Sequence, residues 1–154
     1  MPRIARAASV SWRGSLSRGS GVASAGSAAF ELPIDLPARV GDPGGKTSPE
    51  ELLAAAHAGC YAMSLAGEIA RAGGTVESLE VQCTVIVDEV EGKGHVVVAS
   101  ELDVDARAEI DEPAFQRVVG EADEGCTFSA LIRGTASVTV RAQLNTNQGR
   151  QNGG

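Results

Sequence analysis

Three cysteines, at positions 60, 83 and 126, are the strongest nucleophiles in this sequence. Thiol chemistry is done by the thiolate, so a reactive cysteine needs a cation or other positive partner beside it. Cys60 lies in ELLAAAHAGCYAMSLAG, a setting in which a thiol also serves as a small buried hydrophobe. If Cys60 is reactive, two candidates could hold its charge: Arg39, from the loop upstream, and His57, one helical turn earlier. Cys126 follows Gly125 and opens the short helical run CTFSALIR, a position that favours thiolate and some exposure; its plainer role is a buried cap. Cys83, in VQCTVIV, shares a strand face with Val81, Val85 and Val87 and reads as a structural thiol. Glu50 stands in the first turn of the helix that carries Cys60, where a negative charge is worth ~0.3–1 kcal/mol without any catalytic role.

Other chemistries find less support. His57 and Cys60 form an H-x-x-C pair, but no second pair has ligand spacing, so no metal and no cofactor is expected. A cysteine–histidine protease would also need an orienting third group and an oxyanion hole, and neither is signalled. Gly45-Lys46-Thr47 matches the end of a phosphate loop, yet the position that requires the first glycine holds Val40.

Composition narrows the class further. The 154 residues fit a single domain over 1–144 with a polar tail, 145–154. A net charge of −7 and thirteen scattered basic residues argue against nucleic acid. Hydrophobic residues make up 43 % of the chain and aromatics only 3 %, so the core must be built from small side chains at close approach. The opening MPRIARAASVSW lacks the apolar run of a secretory signal, and Leu52–Gly67 is too short and too rich in Ala and Gly for a membrane span. A cytoplasmic protein with free or redox-cycling thiols is the expectation.

The elements that must position these residues follow from periodicity and punctuation. Ala7–Arg13 alternates as a strand, and Val22–Ala25 and Ala28–Ile34 supply two more short strands. Pro37–Thr47 reads as a loop. A helix then starts at a capping box, with Ser48 as N-cap, Pro49 in the first position and Glu51 three residues on, and it stops near Ala72 at Gly73-Gly74. Val76–Val90 and His95–Ala108 form a long hairpin, Pro113–Glu124 a second helix, and Thr135–Leu144 a last strand with Val138 and Val140 inward. No charge appears on any face of the first long helix between Leu52 and Gly67. A helix apolar all round is buried all round, and one chain with so few large residues can hardly cover it, so a second subunit is inferred.

Taken together, GGKTSPEELLAAAHAGCYAMSLA, EADEGCTFSAL and the opening SVSWRGSL…GSGV resemble the OsmC/Ohr family of osmotically inducible and organic hydroperoxide resistance proteins, nearer to the OsmC branch. The resemblance spans nearly the whole chain to Leu144. It implies an α+β intertwined homodimer, with antiparallel sheets wrapped around two central buried helices. It also implies a thiol-dependent peroxidase acting on organic hydroperoxides and, less efficiently, on hydrogen peroxide. Cys60 maps onto the peroxidatic cysteine, Cys126 onto the resolving one, and Arg39 and Glu50 onto the family's arginine and helix-start glutamate. A dithiol partner, a lipoyl protein or a thioredoxin-like one, would reset the disulfide. The family often has Pro after the second cysteine; this chain has Thr127.

Glu50 and Cys60 stand ten residues apart. At ~1.5 Å per residue that is about 15 Å along one helix, so if both serve one peroxide, Glu50 acts on the partner's site. The competing reading, kept open by Thr127, is a catalytically silent dimer that binds a small apolar ligand or senses oxidants without turnover.

Overall fold

A computed structural model of the protein describes residues 2–145; of the expected polar tail, 145–154, all but Asn145 lies outside the described residues. The chain falls into two compact units, the first closing at Leu52 and the second beginning at Leu53.

The first unit holds three strands, β1 (Ala8–Arg13), β2 (Ser20–Ala25) and β3 (Glu31–Ile34), in an antiparallel sheet of order β1-β2-β3. Trp12 pairs with Gly21 across β1 and β2. A Cβ at Gly21 would come within 2.8 Å of the Trp12 ring, so this glycine makes room for the indole. The segment expected to be loop from Pro37 begins instead with one helical turn, α1 (Leu36–Val40). Asp35 caps it, accepting the Ala38 amide at 2.8 Å, and Pro37 sits in the first turn, where its missing N–H is harmless. Lys46 closes the following loop onto Asp35 at 2.5 Å and, with the Ala38 amide, holds the Asp35 carboxyl below its ordinary pKa.

Helix α2 (Pro49–Arg71) starts at the end of the first unit and supplies the first element of the second. The expected capping box is half made. The Ser48 hydroxyl accepts the Glu51 amide at 3.2 Å, but the Glu51 carboxylate takes the Thr47 hydroxyl at 2.8 Å rather than reaching back to Ser48. At the other end Gly73 adopts φ +86°, and the Gly73 and Gly74 amides bond back to the carbonyls of Ala70 and Ile69, ending the helix where a left-handed residue is required.

Strands β4 (Thr75–Val90) and β5 (Gly94–Glu109) form the long hairpin, and β6 (Ser137–Asn145) completes a sheet of order β4-β5-β6. The expectation of purely antiparallel sheets is corrected here, because β5 and β6 run parallel. Helices α3 (Glu112–Gly125) and α4 (Thr127–Arg133) lie between the two strands in sequence, and a crossover of that length lets the chain return in the same direction. Asp111 caps α3 by accepting the Ala114 amide at 2.8 Å.

One face of β5 is buried and the other is not. Ser100, Leu102, Val104, Ala106 and Ala108 point inward, while Asp103, Asp105 and Glu109 are exposed. Leu102, Val104, Ala106 and Ala108 join Tyr61, Leu65 and Ile69 of α2 and Phe115, Val118, Val119 and Ala122 of α3 in one core. Phe115 is fully buried and is among the largest side chains there. Phe115→Ala is expected to lower the unfolding free energy by ~3–5 kcal/mol, read as an earlier urea midpoint with an unchanged slope. A change within ~0.5 kcal/mol would mean that Phe115 does not anchor this core.

Candidate active site

Cys60 lies at the middle of α2, and its neighbours on the same helix face tie α2 to the elements around it. His57, one turn earlier, is fully buried, with Nδ1 2.6 Å from the Ser100 hydroxyl on β5 and Nε2 2.8 Å from the Ser129 hydroxyl on α4. Tyr61 donates its hydroxyl to the Val119 carbonyl at 3.0 Å, and Ser64 donates to the Ala122 carbonyl at 2.8 Å, both on α3. Positions 57, 61 and 64 thus bracket Cys60 with hydrogen bonds, and these fix the helix segment that carries the sulfur.

Cys126 stands at the junction of α3 and α4 and serves both helices. Its amide donates to the Asp123 carbonyl at 3.2 Å, ending α3. Its carbonyl accepts the Ala130 amide at 3.1 Å and its sulfur accepts the Ser129 amide at 3.5 Å, starting α4. The sequence offered two descriptions of this residue, a partly exposed thiol and a buried cap; it is a buried cap, 1 % exposed.

Cys126 and the backbone of Phe128 and Thr127 lie close enough to the Cys60 thiol to act on its ionisation. Burial pushes the Cys60 thiol above its ordinary pKa; the Phe128 amide opposes that, the Cys126 thiol adds to it, and the Thr127 amide opposes it. All three cysteines are free thiols. Cys60 also borders an open groove of about 430 Å³, formed with Met63, Gly67 and Arg71, so it is reachable from solvent.

The first unit holds the other pair singled out in the sequence. Arg39, at the end of α1, grips the Glu50 carboxylate with two nitrogens, Nε at 2.9 Å and Nη2 at 2.6 Å from Oε1. Burial alone would raise the Glu50 carboxyl, but the Arg39 guanidinium prevails and leaves its pKa below the ordinary value. The Glu50 carboxylate in turn raises the pKa of Arg39. Nη1 of Arg39 has no partner among the described residues, so one edge of the fork is left for an incoming oxygen. A small apolar recess of about 100 Å³, walled by Trp12, Leu16, Ile34, Leu36 and Pro49, adjoins Arg39.

His57, one of the two candidate cations, is not a cation. Burial lowers its pKa, Asp123 partly opposes that, and Arg133 adds to it. Its serine partners were not singled out from the sequence. Ser100 could have been found as the lone polar residue at inward register between Val98 and Leu102, and Ser129 as the residue three after Cys126. Cys83 sits on β4 with its sulfur 3.1 Å from the Ser100 hydroxyl, and burial raises its pKa, in keeping with a structural thiol. Among the described residues no group of three or more His, Cys, Asp or Glu side chains could hold a metal ion, and no helix is long and apolar enough to cross a membrane.

Comparison with known proteins agrees with this fold. The chain is 33 % identical over 138 residues to Peroxiredoxin OsmC of Escherichia coli, an alignment that covers 88 % of this chain and 93 % of that protein. It superposes on the organic hydroperoxide resistance protein OhrB of Bacillus subtilis with a TM-score of 0.70 at 24 % identity, covering 89 % of this chain and 98 % of that one. It also superposes on an OsmC-like protein of unknown function from Vibrio cholerae with a TM-score of 0.76 at 15 % identity, covering 92 % and 100 %. The family model described as OsmC-like protein matches residues 41–141, and the chain belongs to that family.

Proposed function

We propose that this protein is a thiol-dependent peroxidase that reduces organic hydroperoxides, and hydrogen peroxide less efficiently, with Cys60 as the peroxidatic residue and Cys126 as the resolving one. The observation that carries the reading is that the fold brings Cys126, 66 positions away in sequence, near enough to the Cys60 thiol to act on its ionisation. Disulfide formation between two cysteines needs such proximity. The 33 % identity to a protein named Peroxiredoxin OsmC supports the same assignment.

The chemistry balances as follows. The Cys60 thiolate attacks the terminal peroxide oxygen, an S–O bond forms, the O–O bond breaks, and the alcohol leaves once its oxygen takes a proton. Cys60 is then a sulfenic acid. The Cys126 sulfur attacks it, an S–S bond forms, and the hydroxyl departs as water with the Cys126 proton. An external dithiol, on a lipoyl or thioredoxin-like protein, supplies two electrons and two protons to restore both thiols.

The thiolate needs positive charge, and within its own unit the backbone of Phe128 and Thr127 favours it while burial opposes it. Arg39 is the residue suited to the task, because its planar fork is already oriented by Glu50 and has a free edge for the peroxide oxygens. Since α2 spaces Glu50 from Cys60 by about 15 Å, the pair serves the Cys60 of a second copy. Several surfaces support a two-fold homodimer. Every residue of β1 is exposed in the single chain, Val10 by 56 % and Trp12 by 40 %. On α2, the small residues Ala55 and Gly59 and the apolar Met63 form an exposed face opposite the buried one, suited to packing of a second helix. In the reaction the apolar recess beside Arg39 takes the organic group of the peroxide.

One observation favours the silent-sensor reading: burial leaves the Cys60 thiol above its ordinary pKa in the lone chain. Turnover separates the two. With a dithiol present the protein is expected to consume cumene hydroperoxide continuously, Cys60→Ser to lose on the order of 10³-fold or more of that activity, and Cys126→Ser to react once and stop. Oxidation of one equivalent by the parent, without turnover, would decide for the sensor.

The shared site has its own test. Glu50→Ala protein mixed with Cys60→Ser protein is expected to regain activity as subunits exchange, because one of the two sites in each hybrid dimer is intact. Absence of recovery with exchange demonstrated by mass would refute it. The role of Arg39 is read from pH. Arg39→Met leaves the desolvation of Cys60 unopposed by a cation, so the thiolate, followed by its ultraviolet absorbance, is expected to form at higher pH than in the parent, and the acid limb of the rate profile to move the same way. An unmoved profile would show that Arg39 does not hold the thiolate.

A further inference from the structure

The hydrogen-bond chain behind the two sulfurs has no task in the mechanism above. His57 precedes Cys60 by one turn of α2, and both of its ring nitrogens are engaged, Nδ1 by Ser100 at 2.6 Å and Nε2 by Ser129 at 2.8 Å. A neutral imidazole has one N–H and one lone pair, and each finds a match because a hydroxyl can donate or accept. Ser129 is the third residue of α4, and its own amide donates to the Cys126 sulfur at 3.5 Å. The two residues between them, Thr127 and Phe128, are the ones whose backbone favours the Cys60 thiolate.

We infer that His57 is a positioning residue for the resolving step: through Ser129 it fixes the first turn of α4, and with it the Cys126 sulfur, against the Cys60 that the same helix carries. This rests on the peroxidase reading. A sulfenic acid at Cys60 has two fates. The Cys126 sulfur can displace its hydroxyl as water and close the disulfide, or a second hydroperoxide can add an oxygen, leaving an alcohol and a sulfinic acid that the dithiol does not reverse. The first fate wins only while the Cys126 sulfur is held in line with the Cys60 S–O bond, and alignment of this kind is what a fixed first turn supplies. α4 has only seven residues, and a helix that short does not hold its first turn by its own hydrogen bonds. Packing alone does not call for the arrangement either. An apolar trio at 57, 100 and 129 would fill similar space without burying four polar atoms, and such replacements are often close to neutral in stability.

The test compares Ser129→Ala, His57→Leu and His57→Gln with the parent, by intact mass during titration with cumene hydroperoxide and by the equilibrium of the Cys60–Cys126 disulfide with a glutathione buffer. Ser129→Ala and His57→Leu are expected still to react with the first equivalent of peroxide. They should send a severalfold larger fraction of Cys60 to sulfinic acid, and should hold a disulfide about tenfold less stable, the loss of one positioning hydrogen bond. His57→Gln, which keeps a donor and an acceptor, is expected to recover part of both. Parental partition and parental disulfide equilibrium in folded Ser129→Ala would overturn the inference, and that variant carries the test should His57→Leu not fold. The glutathione equilibrium involves no peroxide, so it judges the positioning role even if the parent proves unable to turn over peroxide.

Discussion

The constraint on which the second unit depends is a single buried stripe. His57, Tyr61, Leu65 and Ile69 recur every four residues along α2 and are fully buried, so they form one face of the helix. That face is met by the inward residues of β5 and by α3. Because the stripe begins with a histidine and a tyrosine, its first two turns cannot be buried by hydrophobic contact alone. A buried polar group without a partner costs roughly 1–3 kcal/mol, so each must find one at a fixed place. The partners come from β5, α3 and α4, three elements that small apolar side chains would orient only loosely. The result is that the segment with the least freedom in the helix is the one that carries Cys60.

The same logic explains why the two cysteines differ in kind. Cys126 is a cap, and its sulfur and backbone are all used in closing α3 and opening α4. Its place is therefore set by helix geometry rather than by side-chain packing. Cys60 has no such duty and keeps its sulfur for the groove. A thiol at a helix junction set against one at mid-helix is an economical way to hold two sulfurs close but unbonded. Each belongs to a different backbone segment.

Much of this was legible in the sequence because it rests on local signals. The Ser48–Glu51 start of α2, its Gly73-Gly74 stop and the long hairpin of β4 and β5 are written in local signals, and each is found where expected. Two features were not. The turn α1 hides in Asp35-Leu36-Pro37, an N-cap followed by a proline, but the dense glycine and proline that follow read as loop throughout. The parallel course of β6 depends on where α3 and α4 deliver the chain, a tertiary fact with no local mark. At the site, the cysteines, Arg39 and Glu50 announce themselves by residue type. Ser100 and Ser129 do not, because a serine becomes informative only once His57 is known to be beside it.

The Arg39–Glu50 pair is explained least well by stability. Arg39 is 48 % exposed and Glu50 21 %, and an ion pair in such a setting contributes about 0–1 kcal/mol. The bidentate grip adds little to that in water, yet it removes the rotational freedom of the guanidinium and sets its plane. Fixing a cation that precisely without burying it has small value to the fold and large value to a ligand, which then meets a donor edge that is already ordered. Cys60 presents the complementary need. Within its own unit the backbone of Phe128 and Thr127 favours the thiolate, while burial works against it. On the proposed reading, a cation ordered by one helix start and a thiol fixed at mid-helix supply the two halves of an anion site, and because ten residues of α2 rise by about 15 Å, that reading calls for a second chain.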